Sequence, residues 1–427
     1  MRKNKGITLI ALIITIIILL ILVGVSVNLL IKGDLFGSAE KAVNGTNAKV
    51  EEQQTAVDEL MGELGRVEEQ QRQDNLPGTR VTENTKYVRD GKTAWIPKGF
   101  TVSGIKSEQS IDDGLVIYDI PEGTTVDWTN PNSVKTAYNQ FVWIPVEVKS
   151  TDKENSIASF YRSEWTANAS TGGERTTGLD ADYTEPDSTN DTADKTGIAN
   201  QIANLTKSIY KYGGFYIGRY EAGVKPNADG TSTPRTSRSD SQTADCVIQQ
   251  DKYPYNWIKW GKSMSDISEG AVYLSNRLYN TNEYGAKSML CTGACWDSML
   301  DFVKDSSHSV TDSTTWGNYS NSETYTINRG KYAVFNTSTY KLEKFQDVGN
   351  EYSKEKDKSI LLTTGATERN CSRNIYDVAG NCWEWTTESN PSSDARIDRG
   401  RWLLQLWFWP SSEWPQHHAV LPADTTT

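Results

Sequence analysis

The stretch Asp377-Val-Ala-Gly-Asn-Cys-Trp-Glu384 sets two carboxylates on either side of a Gly-Asn turn. Acidic side chains flanking a turn, with backbone oxygens exposed where the chain reverses, can wrap one hard cation such as calcium. The same residues have a purely structural use, with Asp377 capping the turn and Glu384 accepting backbone hydrogen bonds. Trp383 and Trp385 alternate with Glu384, so in a strand both would face a core and the carboxylate the other side. The five cysteines are the other reactive groups. Cys291 and Cys295 share a helix face, but four-residue spacing suits a disulfide poorly and no His joins them as a zinc ligand, so they read as small core residues. Cys371 and Cys382 bracket the acidic loop and could pair outside the cytoplasm, while Cys246 leaves the total odd. Three His leave little room for histidine chemistry, and His308, in a Ser/Thr/Asp-rich segment, reads as a solvated loop residue.

These groups need a scaffold, and 427 residues with 14 Trp supply enough apolar mass for two domains. The net charge of −11 without a strong basic block gives no footprint for a phosphate backbone, so no nucleic-acid partner is expected. From Arg80 to Pro145 short apolar runs such as Leu115-Val-Ile-Tyr118 and Phe141-Val-Trp-Ile144 read as strands. Residues 149–204 and 228–244, dense in small polar residues, read as mobile insertions. Short helices are expected near Tyr273–Leu278, apolar on one side, and Cys295–Lys304.

The N-terminus carries three cations in Met1–Lys5, then an apolar run over 7–31 that is long enough, at about 1.5 Å per residue, to span a hydrocarbon core of about 30 Å. Cations on the short side place the remainder outside the cytoplasm, predicting a single-pass cell-membrane protein with an extracytoplasmic C-terminal part. Residues 32–76 read as a stalk helix interrupted near Asn44-Gly45, with Val43, Val50, Val57 and Leu64 repeating every seven positions as a weak self-association seam. Lys5-Gly6-Ile7-Thr8-Leu9-Ile10 resembles the processing site of type IV prepilins and pseudopilins. The resemblance implies cleavage after Gly6, methylation of Ile7, and pilus-like assembly. Ala11 stands where that family usually has a glutamate that aligns subunits.

Three separated segments resemble the formylglycine-generating (sulfatase-modifying factor) domain: Tyr212-Gly-Gly-Phe-Tyr-Ile-Gly-Arg-Tyr-Glu221, Ala294-Cys-Trp-Asp-Ser-Met-Leu300, and Asn374-Ile-Tyr-Asp-Val-Ala-Gly-Asn-Cys-Trp-Glu-Trp385. Phe141–Val146 resembles that domain's opening strand, and the likeness spans about 138–401. It implies an irregular mixed fold related to C-type lectins, and a structural calcium ion held by the side chains of Asp377 and Glu384 and the carbonyls of Gly380 and Cys382. Enzymes of the family oxidise a cysteine of a sulfatase peptide with a copper ion held by two cysteines after an Arg-Gly-Gly turn. Here the turn is Arg399-Gly400-Arg401 and no cysteine follows Cys382, so no copper is expected. Other members are ligand-binding proteins with no enzymatic role.

Residues 402–427, from Trp402-Leu-Leu-Gln-Leu-Trp-Phe-Trp-Pro onward, do not resemble that domain's Gly/Ser/Tyr-rich ending. Reading one base later turns each Trp codon into Gly, and suitable synonymous codons restore the expected texture. An out-of-frame tail is therefore expected, in which Trp407, Trp409, His417 and His418 carry no evolved chemistry; the rival reading is an aromatic contact patch.

The resulting expectation is an α+β chain: leader 1–6, transmembrane helix 7–31, stalk helix 32–76, β-rich spacer 80–137, and an irregular, mostly β head over 138–401. Its expected function is a non-catalytic surface protein recognising an unknown extracellular ligand. The alternatives are a copper-dependent formylglycine-generating oxidase and a minor pseudopilin of a secretion or DNA-uptake system.

Overall fold

The computed structural model describes residues 39–160, 164–165, 175–176, 185, 197–263, 266–310, 313–390, 395–399 and 419–421. The leader with Gly6 and Ile7, the apolar run 7–31, much of the insertion 149–204, and the tail apart from 419–421 lie outside these residues. The chain divides into two units, Met1–Gln71 and Arg72–Thr427.

Helix α1 (Ala39–Asp74) belongs mostly to the first unit and runs 36 residues, unbroken through Asn44-Gly45 where an interruption was expected. Its sequence is rich in Glu, Gln, Lys and Ala, which lose little side-chain freedom in a helix. Val50, Leu60, Met61 and Val67 are exposed along it. The expected architecture needs correction here. Among the described residues no helix is long and apolar enough to cross a membrane. The long helix is polar throughout, because ionised side chains recur along it and each would be costly in hydrocarbon. The described architecture is thus one long polar helix, lying within the stretch 32–76 read as a stalk, with several short helices and small mixed sheets, and no described helix takes the transmembrane role expected of the N-terminal helix.

The second unit opens with the hairpin β1 (Thr85–Arg89) and β2 (Lys92–Ile96), turned by Asp90 and Gly91 with φ of 52° and 74°. Those positive angles match the right-handed twist of paired strands. The side chain of buried Gln73 joins the hairpin, accepting from Val88 N at 2.8 Å and donating to Lys86 O at 3.1 Å. Then follow β3 (Thr101–Val102), β4 (Val116–Tyr118), β5 (Gln140–Pro145), helix α2 (Ile198–Tyr212), β6 (Gly214–Gly218), helix α3 (Gly270–Leu278), β7 (Met289–Leu290) and helix α4 (Gly293–Val303). A smaller antiparallel sheet includes β8 (Lys331–Asn336) and β9 (Ile360–Leu362). The hairpin of β10 (Glu384–Asn390) and β11 (Ala395–Arg399) precedes β12 (Ala419–Leu421).

The central sheet is antiparallel, in the order β7-β12-β6-β5-β4-β3. Its strands are apolar without alternation because both faces are covered. Ile117, Phe141, Trp143 and Tyr216 face one core with Ala271, Val272 and Leu274 of α3. Val116, Tyr118, Val142, Ile144, Phe215 and Ile217 face a second core with Cys295, Trp296 and Met299 of α4. Strands β3 and β4, from the stretch read as a spacer, are thus built into the sheet of the head.

Helix α2 occupies the end of the stretch read as a mobile insertion, burying Ile198, Leu205, Ile209 and Tyr212 and ending at Gly213 with φ 76°. A glycine there satisfies the left-handed C-terminal cap without steric cost. Within the same insertion, Glu185 accepts hydrogen bonds from Gly293 N and Thr387 Oγ1, both at 2.5 Å. The second insertion, 228–244, is organised around Asp240, whose carboxylate accepts from Thr236 N at 2.8 Å and Ser237 N at 2.9 Å.

Candidate functional site

The acidic turn is shaped by its backbone. Asp377, Gly380 and Asn381 have φ of 63°, 81° and 62°, so three of five residues are left-handed. Asn318 packs against this turn: its N–H donates to Ala379 O at 2.9 Å, and its carbonyl accepts from Asn381 N at 3.0 Å. A Cβ on Gly380 would lie 2.4 Å from Asn318 O, so only glycine fits there. The two asparagine side chains also bond each other, Asn318 Nδ2 donating to Asn381 Oδ1 at 2.9 Å, and Leu362 N donates to that same oxygen at 2.9 Å. The turn is thereby fixed to β9 on one side and to Asn318 on the other.

Asn381 also recruits a carboxylate absent from the expected set. Its Nδ2 donates to Glu221 Oε2 at 2.6 Å, and Cys382 N donates to Glu221 Oε1 at 3.1 Å. Glu221 closes the run Gly-Phe-Tyr-Ile-Gly-Arg-Tyr-Glu just beyond β6, and the signal that could have marked it was a charge ending an otherwise apolar strand. Glu221, Asp377 and Glu384 are each at most 1% exposed. Burial drives all three pKa values upward. Asp377 rises to about 7, with Gly365 N–H (2.7 Å from Oδ2) and the charge of Arg329 working against the rise. Glu221 and Glu384 are raised well above the ordinary carboxylate range, first by burial and then by the neighbouring acids.

Three mutually repelling buried carboxyls must take up protons or a counter-cation. Asp377 Oδ1 has no hydrogen-bond partner among the described residues. Carboxylate oxygens beside a turn of left-handed residues form a donor set that suits a hard oxygen-seeking ion. Among the described residues no group of three or more His, Cys, Asp and Glu side chains is arranged to hold a metal ion. A cation here would therefore need backbone oxygens such as those of Gly380 and Cys382 alongside the side chains of Asp377 and Glu384.

A second buried polar network ties this motif to the N-terminal strands. Arg219 Nη1 and Glu108 Oε1 are 2.8 Å apart, with both side chains 1% exposed. Lys135 Nζ approaches the same oxygen at 3.1 Å, while Ser103 Oγ and Tyr118 OH donate to Oε2 at 2.7 and 2.8 Å. Burial pushes the Glu108 carboxyl up, but Arg219, Lys135 and the two hydroxyls outweigh it and hold the group below its ordinary value. Arg219 Nη2 continues to Asn374 Oδ1 at 3.1 Å, and Asn374 Nδ2 donates to Gly114 O at 2.8 Å.

All five cysteines are free thiols, so the pairing open to Cys371 and Cys382 is not made. Burial pushes Cys371 up to about 11 and Cys246 up to about 12, which keeps both protonated and unreactive at neutral pH. Cys291 and Cys295 are fully buried, Cys295 accompanying the helix cap in which its N–H donates to Thr292 Oγ1 at 3.0 Å. Trp385 is buried and donates to Ile258 O at 3.0 Å, whereas Trp383 is only half-buried. Arg399, at the altered turn, forks onto Glu388 with Nε–Oε2 2.9 Å and Nη2–Oε1 2.6 Å. Gly400 and Arg401 lie outside the described residues. Neither a family model, nor a curated protein, nor a solved structure matches this chain.

Proposed function

We propose that this is a non-catalytic binding or structural protein of the cell surface, whose Arg72–Thr427 unit is a recognition head similar to the sulfatase-modifying factor domain. The observation that carries the reading is the state of the cysteines: all five are free, Cys246, Cys291, Cys295 and Cys382 are buried, and burial pushes every one of the thiols up, so among the described residues no exposed thiolate pair is offered to Cu(I). Arg399 at the altered turn is engaged with Glu388. Calcium, held by the side chains of Asp377 and Glu384 and the carbonyls of Gly380 and Cys382, would neutralise the buried acid cluster and stiffen the turn; its role is structural. The charge-flanked apolar run 7–31 supports attachment to a membrane with the head outside the cytoplasm. Exposed Val50, Leu60, Met61 and Val67 support self-association through α1.

The decisive experiment incubates the purified full chain with copper(I), oxygen and a sulfatase-derived peptide bearing its target cysteine, followed by mass spectrometry of the peptide. The peptide is expected to remain unmodified. Conversion of its cysteine to formylglycine would overturn the reading in favour of the oxidase.

A further inference from the structure

The acidic turn is entered through a tight hairpin in which Cys371 pairs with Tyr376 and Ser372 with Ile375. Arg373 and Asn374 turn it with φ of 48° and 65°, the double left-handed step of a two-residue loop. One position further along the ladder Asn370 stands opposite Asp377, whose N–H donates to Asn370 O at 3.1 Å. Opposite residues in such a bonded pair have Cα atoms about 5.5 Å apart, so the two side chains start as neighbours. The Asn370 side chain has no exposed surface, and neither its Oδ1 nor its Nδ2 finds a hydrogen-bond partner among the described residues. Asp377 Oδ1, across the ladder, is in the same condition. The other buried amides of this site are held at both ends. Asn318 Oδ1 accepts from Tyr325 OH at 2.8 Å and its Nδ2 donates to Ile360 O at 3.0 Å, while Asn381 bonds Leu362 N through Oδ1 and Glu221 through Nδ2. A position that served packing alone would be better filled by an apolar residue than by an amide unbound at both ends.

We propose that Asn370 is a further ligand of the calcium ion at the acidic turn, its Oδ1 joining Asp377 Oδ1 from across the hairpin; this deepens the structural-calcium reading above and rests on it. Side-chain amide oxygens are ordinary calcium ligands, and the ion takes about six to eight oxygens at about 2.3–2.6 Å. The side chains of Asp377 and Glu384 with the carbonyls of Gly380 and Cys382 reach the lower end of that range only if both carboxylates bind through both oxygens, and Asp377 Oδ2 is already engaged by Gly365 N at 2.7 Å. Asn370 adds an oxygen without adding a negative charge to the buried acids Glu221, Asp377 and Glu384. Closure to water is no obstacle, because a water oxygen needs about 2.8 Å from each neighbour and calcium needs less. The same closure selects against magnesium, which keeps several of its waters. Carboxylates have about four acceptor sites each, so acids that hold the ion can also accept from Asn370 Nδ2.

The test titrates the purified full chain, stripped of metal with EDTA, with calcium chloride and separately with magnesium chloride in a calorimeter, and follows thermal melting with EDTA or calcium present. Wild type is expected to bind calcium in preference to magnesium. Asn370→Leu should weaken calcium binding at least tenfold, a difference of about 1.4 kcal/mol, yet melt no lower than wild type in EDTA, since two unpaired polar atoms leave the interior. Asn370→Asp should keep calcium binding but melt lower in EDTA, because a fourth acid joins the buried cluster. Equal calcium affinity of wild type and Asn370→Leu, or loss of calcium binding in Asn370→Asp, would overturn the role of Asn370 and leave the calcium ion itself in place. An Asn370→Leu chain that melts lower by the same margin in EDTA and in calcium would make the amide a packing group and equally overturn it. A wild type that binds no calcium would remove the ion and this ligand together. None of these results bears on the copper assay, so the absence of catalysis stands or falls separately.

Discussion

Replacing Arg219 by Met removes the guanidinium at the junction of β6, β4 and the acidic-turn motif while keeping much of the side chain's apolar volume. Glu108 would then stay buried with Lys135 at 3.1 Å and two hydroxyls as its remaining partners. Removing one member of a buried ion pair costs about 3–5 kcal/mol, and because Lys135 remains we place this variant near 3 kcal/mol. Glu108→Gln leaves Arg219 and Lys135 together without their carboxylate and should cost at least as much. The double variant removes both charges, so its cost should fall short of the sum of the single costs by about 2 kcal/mol or more. Urea unfolding midpoints of the four proteins measure this. The pH dependence supplies a second check. The folded-state pKa of Glu108 is lowered, so its stabilisation is complete above the unfolded value of about 4.5 and is lost as pH falls through the folded value. Wild type should therefore lose stability on acidification more steeply than Glu108→Gln. Strictly additive single costs, or an Arg219→Met cost below about 1 kcal/mol, would refute the coupling and with it the integration of the N-terminal strands into the head.

Calcium at about 100 times its dissociation constant should stabilise the full chain by about 2.7 kcal/mol over EDTA, raising Tm by several degrees; Glu384→Gln should abolish the response, and equal melting with calcium and EDTA would remove the cation from the acid cluster. Gly380→Ala combines a left-handed φ of 81° with a contact of 2.4 Å to Asn318 O, so it should lower stability by more than about 3 kcal/mol, read as a large fall in Tm or failure to accumulate. Burial, reinforced by the charge of Arg369, depresses Lys354 to about 8. Because its folded pKa lies below the unfolded value, stability should rise between about pH 8 and pH 10.5, by up to about 3 kcal/mol, in wild type but not in Lys354→Met; parallel pH profiles of the urea midpoint would contradict this.

Much of the head was legible because its strands are apolar and bounded by turn residues. Phe141–Ile144 read as a strand and lies in β5, and the segments around Tyr273 and Cys295 carry helices α3 and α4. The transmembrane helix expected from hydropathy over 7–31 has no counterpart among the described residues, whereas the stretch 32–76 read as a stalk does carry a helix. The helix that the structure describes starts at Ala39 and is polar. Helix α2 was hidden by a polar exposed face. Its apolar positions, Leu205, Ile209 and Tyr212, lie one turn apart at the end of a Ser/Thr/Asp-rich stretch that dominates any composition average. The acidic turn was found from Asp377 and Glu384, but Glu221 lies far away in sequence, and only the Asn381 side chain brings it there. Arg219 and Glu108 were invisible as a pair because their side chains meet across 110 residues of chain that carries no pairing signal.

Lys354 has one more consequence. Its ammonium group donates to the carbonyls of Tyr319, Ser320 and Ser322 at 2.7, 3.0 and 3.2 Å in a side chain with no exposed surface. Three converging carbonyl oxygens are the environment that a channel or an ionophore presents to a desolvated monovalent cation. Lys354 is in effect such a cation on a covalent leash, present at fixed stoichiometry whatever the salt outside. Cutting the leash with Lys354→Met would leave the cage, and potassium or ammonium in the buffer becomes its natural replacement, making the fold selectively responsive to the identity of the monovalent ion around it.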